Sequence, residues 1–295
     1  MKQIFFGLGL GILFVAGCFT ANAQTVLDAE ERNFNDFYQS DLSQGKRAMP
    51  YAHIRESDVV WKTWIWRTID FREKFNQFFF YPTEQDGRNT QGRINLVNML
   101  LKALENGEIE VFEDDDLLVP KDYEKVYGEI NRERIMQVNE YDEWDEIVGS
   151  HDTTIHEEFN PEDVLSARIK ECWYIDKQDT RQKVRITALA LYRNECRERA
   201  EGRECESVSM FWIPMDDMRV RNVMVQHNAY DEHNAALNRT YDDIFVTRYF
   251  DSFVTRQSDT KNRTIASYLT GTDAILESQR IENEIFNIES DMWEY

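Results

Sequence analysis

Nine aromatic side chains fall within the 26 residues from Ser57 to Pro82, in the run SDVVWKTWIWRTIDFREKFNQFFFYP. Trp61, Trp64, Trp66, Phe71, Phe75, Phe78, Phe79, Phe80 and Tyr81 carry more apolar area than one amphipathic helix needs for a single buried stripe, so some of it must meet a second surface. Val60, Trp64, Phe71, Phe75 and Phe78 recur at helical spacing, with Trp61, Ile65 and Ile69 on a neighbouring face. Ser57 and Asp58 offer a helix start, and Pro82 forces a stop nearby. The expectation is an aromatic helix buried mainly in the core, with Trp61, Trp64 and Trp66 as a candidate partner interface.

The N-terminus reads as an export signal. Met1, Lys2 and Gln3 give a short positive start, Ile4 to Ala16 an apolar run, and Ala21-Asn22-Ala23 a small-residue site followed by Gln24, placing cleavage between Ala23 and Gln24. The apolar run is short of the roughly 20 residues that span a bilayer. Val15-Ala16-Gly17-Cys18 also fits a lipobox, which would leave a lipidated Cys18 at the mature end. Gln24 to Ala48 is polar with scattered Phe34, Phe37 and Tyr38 and reads as a flexible arm, leaving 49–295 as one compact domain.

Composition narrows the partners. The formal net charge is −21, and removing residues 1–23 makes it −22, which excludes nucleic acid and anionic lipid headgroups as direct partners and favours basic protein surfaces. At 42% hydrophobic and 13% aromatic the chain still holds enough apolar matter for a sizeable core. Cysteine usage suits an oxidising compartment. Cys196 and Cys205 bracket a polar loop, NECRERAEGREC, and are the candidate disulfide, worth roughly 2–3 kcal/mol on a loop-entropy argument; the alternative is two free thiols. Cys172, beside Trp173, reads as a small buried hydrophobe.

Further along, a helix is expected from about Arg93 to Glu105, with Gly107 beyond its end, followed by short extended pieces around Glu113 to Asp116. Acids dominate to Glu158, and about 114–158 reads as an acidic, inserted surface element. Arg168 to Ile175 and Val184 to Tyr192 read as an antiparallel hairpin, Ser207 to Ile213 as a third strand ended by Pro214. Helices are expected over Tyr241 to Asp251 and Asp273 to Ser290, the second carrying Ala274, Ile281, Ile285, Ile288 and Met292 in heptad-like register. The fold class is α+β: an aromatic-rich helical N-terminal half, an antiparallel sheet in the C-terminal half and a C-terminal helix.

No catalytic motif survives scrutiny. His156-Glu157-Glu158-Phe159-Asn160 lacks the second imidazole of a zinc-binding helix. His227 and His233, six apart in a polar segment, are more readily hydrogen-bonding histidines than ligands. Gly87 to Ile94 resembles a phosphate loop, but Arg93 and Ile94 stand where its lysine and hydroxyl belong. Asp114, Asp115 and Asp116 are consecutive, unlike the alternating ligands of a calcium loop. Catalytic, cofactor and metal residues are accordingly expected to be none. The alternative function is a secreted glycan-binding or glycan-hydrolysing protein, resting on abundant aromatics and carboxylates.

Several separated blocks resemble one family in its order: DVVWKTWIWRTIDFREKFNQFFFYP, the helix with Leu96 to Leu104, WYIDKQDTRQKVRITALA, MFWIPMDDMR, YDDIFVTRYFDSFVTRQS and ESQRIENEIFNIESDMWEY. Together they are similar to the GldN/PorN family over Met49 to Tyr295. The resemblance implies a non-enzymatic, periplasmic component of the Bacteroidetes type IX secretion system. It also implies a ring formed by self-association with a GldK/PorK-like outer-membrane lipoprotein, contact with a GldM/PorM-like inner-membrane protein, and support of protein secretion and gliding motility. A lipoprotein partner would supply the tether, so no direct membrane insertion is expected of this chain.

Overall fold

The computed structural model describes residues 46–83, 92–141, 147–157, 159–179, 181–199, 202–231, 234 and 237–293. Cys18, the Ala23 and Gln24 junction, and residues 24–45 of the expected arm lie outside the described residues, as do His233 and most of the phosphate-loop look-alike. The chain divides into Met1–Gln44 and Gly45–Tyr295, and the architecture below is that of the second unit.

Its strands are β1 (Val59–Asp70), β2 (Val111–Phe112), β3 (Pro120–Lys121), β4 (Arg132–Tyr141), β5 (Ile147–Glu157), β6 (Val164–Asp176), β7 (Gln182–Arg199), β8 (Gly202–Pro214) and β9 (Phe253–Gln257). Its helices are α1 (Gln77–Phe80), α2 (Leu96–Glu105), α3 (Tyr123–Ile130), α4 (Met218–Gln226), α5 (Tyr241–Thr247) and α6 (Thr272–Trp293). Seven strands form one antiparallel sheet in the order β3-β2-β8-β7-β6-β1-β9, while β4 and β5 pair separately. The α+β class, the antiparallel sheet and the C-terminal helix match the sequence reading.

The aromatic segment corrects it. Val59–Asp70 is a strand, not a helix, and only Gln77–Phe80 makes a short α-turn before the cis Tyr81–Pro82 bond. Val59, Val60, Thr63, Ile65, Thr68 and Ile69 are β-branched, and with the three tryptophans they favour an extended backbone. Both faces of this strand are covered, so its apolar run is nearly continuous and matches helical spacing by accident. The sheet therefore begins in the N-terminal half.

Odd positions of β1 face the helices. Ile69 joins Ile169, Leu189, Leu191, Phe211 and Ile213 under α2, α4 and α5 in the main core. Phe79, fully buried, sits among Phe71, Phe78, Tyr241 and Phe245, with ring centroids 4.4–6.3 Å apart. A second cluster joins Ile65 and Val254 to Ile281 and Ile285 of α6. The heptad-like residues Ile281 and Ile285 thus pack against the sheet of their own chain. Ile275, Leu276 and Phe286 remain on the exposed side.

Helix ends follow their capping chemistry. Asn95 accepts from the Asn98 amide at 2.8 Å, which starts α2 at Leu96 instead of Arg93. Gly107, at φ +69°, ends it in the left-handed conformation. Thr240 and Asp243 form a reciprocal capping box on α5. That helix stops at Thr247, earlier than expected, because Arg248 turns left-handed at φ +56°. The strain of about 1–2 kcal/mol is offset by what the turn permits: Arg248 pairs with Glu171, which is wholly buried and also accepts from the Trp173 indole at 2.9 Å.

Two readings of the polar stretches change. The acidic stretch 114–158 does not behave as one surface element: α3 gives Val126 and Ile130 to the core, and only β4 and β5 form a hairpin of their own. Ala48, at the end of the expected arm, is buried and donates its amide to Asn222 at 3.0 Å. The supposed cysteine loop continues β7 and β8 as a long hairpin in which Cys196 and Cys205 are directly opposed. Opposed Cα atoms in an antiparallel pair lie about 4.5 or 5.5 Å apart, within the roughly 4.4–6.8 Å range of a disulfide. Cys205 is disulfide-bonded and Cys172 is a free thiol; the partner proposed for Cys205 is Cys196. Denatured mature protein alkylated without reduction should gain one adduct, at Cys172. Three adducts in the intact mass would overturn the bridge.

Candidate interaction surface

Because β1 is a strand, its three tryptophans cannot share a face. Trp64 and Trp66 point away from the helices and Trp61 points toward them, which corrects the expectation of one tryptophan surface. Trp66 is 6% exposed, whereas Trp61 and Trp64 are half-buried.

The face carrying Trp64 and Trp66 is a trough. Trp66 pairs with Lys170 on β6, Lys170 with Ala188 on β7, Arg168 with Ala190, and Ala190 with Trp212 on β8. Ala188 and Ala190 leave room at the centre, and Trp66 and Trp212 wall it. The chain between β2 and β3 crosses this trough, packing Leu117 against it and inserting Asp115.

Asp115 gathers the cations. Its Oδ2 accepts from Trp66 Nε1 at 2.8 Å and Arg256 Nη2 at 2.6 Å, while its main-chain oxygen accepts from Lys170 Nζ at 2.8 Å. Lys170 also reaches Asp116 at 3.2 Å. The Arg256 guanidinium lies 3.5 Å over the Trp66 ring, and Lys170 sits 5.4 Å from both the Trp64 and Trp66 rings. Arg168 lies 4.4 Å over Tyr192, whose phenol burial pushes up, with Arg168 pulling the other way. Among the described residues the buried Nε atoms of Arg168 and Arg256 have no hydrogen-bond acceptor, and each guanidinium lies over an aromatic ring.

These residues hold the strand-to-strand loop against the sheet. Asp115, a calcium candidate by composition, is committed to cations and an indole. Burial raises the Cys172 thiol, away from a reactive thiolate. His156 lies on β5, where residues four apart do not share a helical face, so a zinc helix cannot form there. Arg93 is buried with its guanidinium on the Leu237 carbonyl at 3.1 Å. His227 is half-buried, and desolvation lowers its pKa.

Sequence reasoning reached Trp64 and Trp66 but missed Asp115, Lys170, Trp212 and Arg256. A signal existed in the alternation Arg168-Ile169-Lys170 beside Ala188-Leu189-Ala190-Leu191, which marks strands with one aliphatic and one cationic or small face. Among the described residues no helix is long and apolar enough to cross a membrane. No curated protein matches the chain. Residues 54–294 match the family described as gliding motility associated protein GldN.

Proposed function

The chain belongs to the GldN family, and from that premise we propose that it is a non-enzymatic structural subunit of a ring beneath the outer membrane. The family makes it a component of gliding motility and type IX secretion. In our reading it is periplasmic, self-associates, binds a GldK/PorK-like outer-membrane lipoprotein, and contacts a GldM/PorM-like inner-membrane protein coupled to the motor. The observation that carries this is the match over residues 54–294, which spans the whole seven-stranded sheet and all of α6.

The structure supports a contact role. The polar cluster around Asp115 is consumed in tying a loop to the sheet. Trp64 is the tryptophan of that face left half-open, and interfaces favour partly exposed tryptophan as an anchor. Trp66 and Trp212, both 6% exposed, are too closed to stack a sugar in the trough.

The test is an affinity pull-down of tagged mature protein from solubilised outer membrane, read by mass spectrometry. Co-isolation of a stoichiometric lipoprotein and the motor-coupled protein is expected, and Trp64→Ala, folded as judged by circular dichroism, should weaken lipoprotein binding about 30-fold, the scale of an interface anchor. Recovery of the chain alone at low and moderate salt would overturn the ring reading. Undiminished affinity of Trp64→Ala would remove Trp64 from the interface.

A further inference from the structure

On the helical side of the molecule, a cavity of about 420 Å³ opens between the aromatic turn that follows β1 and the segment leading into α5. Phe75 and Tyr249 meet at its mouth with ring centroids 4.8 Å apart, yet remain 46% and 41% exposed. Phe78 lies behind them, 6.1 Å from Tyr249. Isolated exposed rings are ordinary, but two that touch over a cavity form an apolar recess awaiting a side chain.

Charge defines what that side chain should carry beside it. The Arg239 guanidinium lies 3.8 Å over the Tyr249 ring, and among the described residues neither its side chain nor that of Lys74 has an ion-pair partner. Both line the cavity. One acid lines it too: Asp231, which accepts from the Asn234 amide at 3.0 Å. In a chain with 55 acidic and 34 basic residues, a recess lined by two cations and one carboxylate among the described residues marks a local reversal of the surface charge.

We propose that this cavity docks an extended segment of a partner protein in which an aromatic or large aliphatic side chain is flanked by aspartate or glutamate. The apolar side chain enters between Phe75, Phe78 and Tyr249, and the flanking carboxylates meet Lys74 and Arg239. Arg239 is already pre-oriented by the Tyr249 ring, so fixing it costs little further side-chain entropy. A basic segment would be repelled by both cations, and a neutral one would leave them with Asp231 as the one carboxylate of the described lining. The proposal goes beyond ring membership and does not depend on it.

The probe is an acetylated, amidated peptide of one phenylalanine between two pairs of glutamates, titrated calorimetrically into the full mature chain. Saturable one-to-one binding is expected. Arg239→Gln should weaken it about tenfold, and exchanging the peptide's phenylalanine for alanine should do the same. Lys74→Glu, at an exposed position, provides a second variant with little risk to folding and should weaken binding likewise; thermal midpoints confirm that both variants fold. No saturable binding, equal affinity for the alanine peptide or for one flanked by lysines, or unchanged affinity in both variants would each overturn the site. Because the pull-down reads a different contact, failure here would leave the secretion partners untouched, and their failure would leave peptide binding in place.

Discussion

Asp242→Ala is expected to remove about 3–5 kcal/mol of folding stability, the range for deleting one partner of a buried ion pair. Arg221 and Asp242 are 2% and 6% exposed and joined by two parallel hydrogen bonds of 2.8 and 3.0 Å. The same guanidinium donates to the Met49 carbonyl at 2.6 Å and lies 4.2 Å from the Tyr51 ring centroid, so one residue ties α4, α5 and the entering chain together. Burial opposes its charge, but the hydrogen bonds and charge of Asp242, aided by Tyr51 and Asp216, more than compensate, and its pKa stands above the ordinary value. That upward shift goes with Asp242, but a guanidinium is too basic to give up its proton on burial, so the penalty of removing Asp242 is that of a buried charge without its counter-ion. The double change Arg221→Met with Asp242→Leu should lose far less, because no charge is left stranded. Urea unfolding with an unchanged m-value measures both. A loss below about 1 kcal/mol in the single variant would place Arg221 in contact with water and overturn the account.

That pair also shows which parts of the fold were legible. The hairpin of β6 and β7, the strand β8 and the helix α6 were readable because one periodicity dominates each: alternation in the strands, and Ile281 and Ile285 one turn apart in the helix. Helix α4 was not, since Arg221 sits where its buried stripe demands an apolar residue, and only Asp242, 21 residues on, makes that arginine acceptable inside. The aromatic strand failed for a different reason. A strand covered on both faces shows no alternation, and Trp64 to Phe78 then satisfies a helical template by coincidence. What the template could not weigh was the β-branched content of Val59 to Ile69.

The candidate site was half legible for a related cause. Tryptophan announces itself in a sequence, but the groups that decide whether a ring is open or closed come from far along the chain. Asp115 is 49 residues from Trp66 and 141 from Arg256, and nothing local to any of the three signals the contact. Three consecutive aspartates read as a solvated acidic run, although the middle one is the residue that closes the trough. The surplus of aromatic area was reckoned for a helix; in the strand its destination is set by this closure, which buries Trp66 and leaves Trp64 half-exposed.

Trp66→Ala separates the two meanings of that residue. As a wall of the trough it should cost about 3–5 kcal/mol, the range for truncating a large buried aromatic, since the change removes packing against Ala188, Ala190 and Trp212, the ring under Arg256, and the indole donor to Asp115. Trp66→Phe keeps most of the packing and the ring, loses the 2.8 Å hydrogen bond, and should cost about 1–2 kcal/mol; Asp115 retains Arg256 and the loop stays closed. Chemical denaturation of both variants, paired with lipoprotein pull-down at a temperature where each is folded, reads stability and binding apart. Large destabilisation with near-normal binding by the folded fraction is the expected pattern. If instead Trp66→Ala held its stability within about 0.5 kcal/mol while binding fell, the loop bearing Asp115 would be open in solution. The whole tryptophan face, and not Trp64 alone, would then meet the partner.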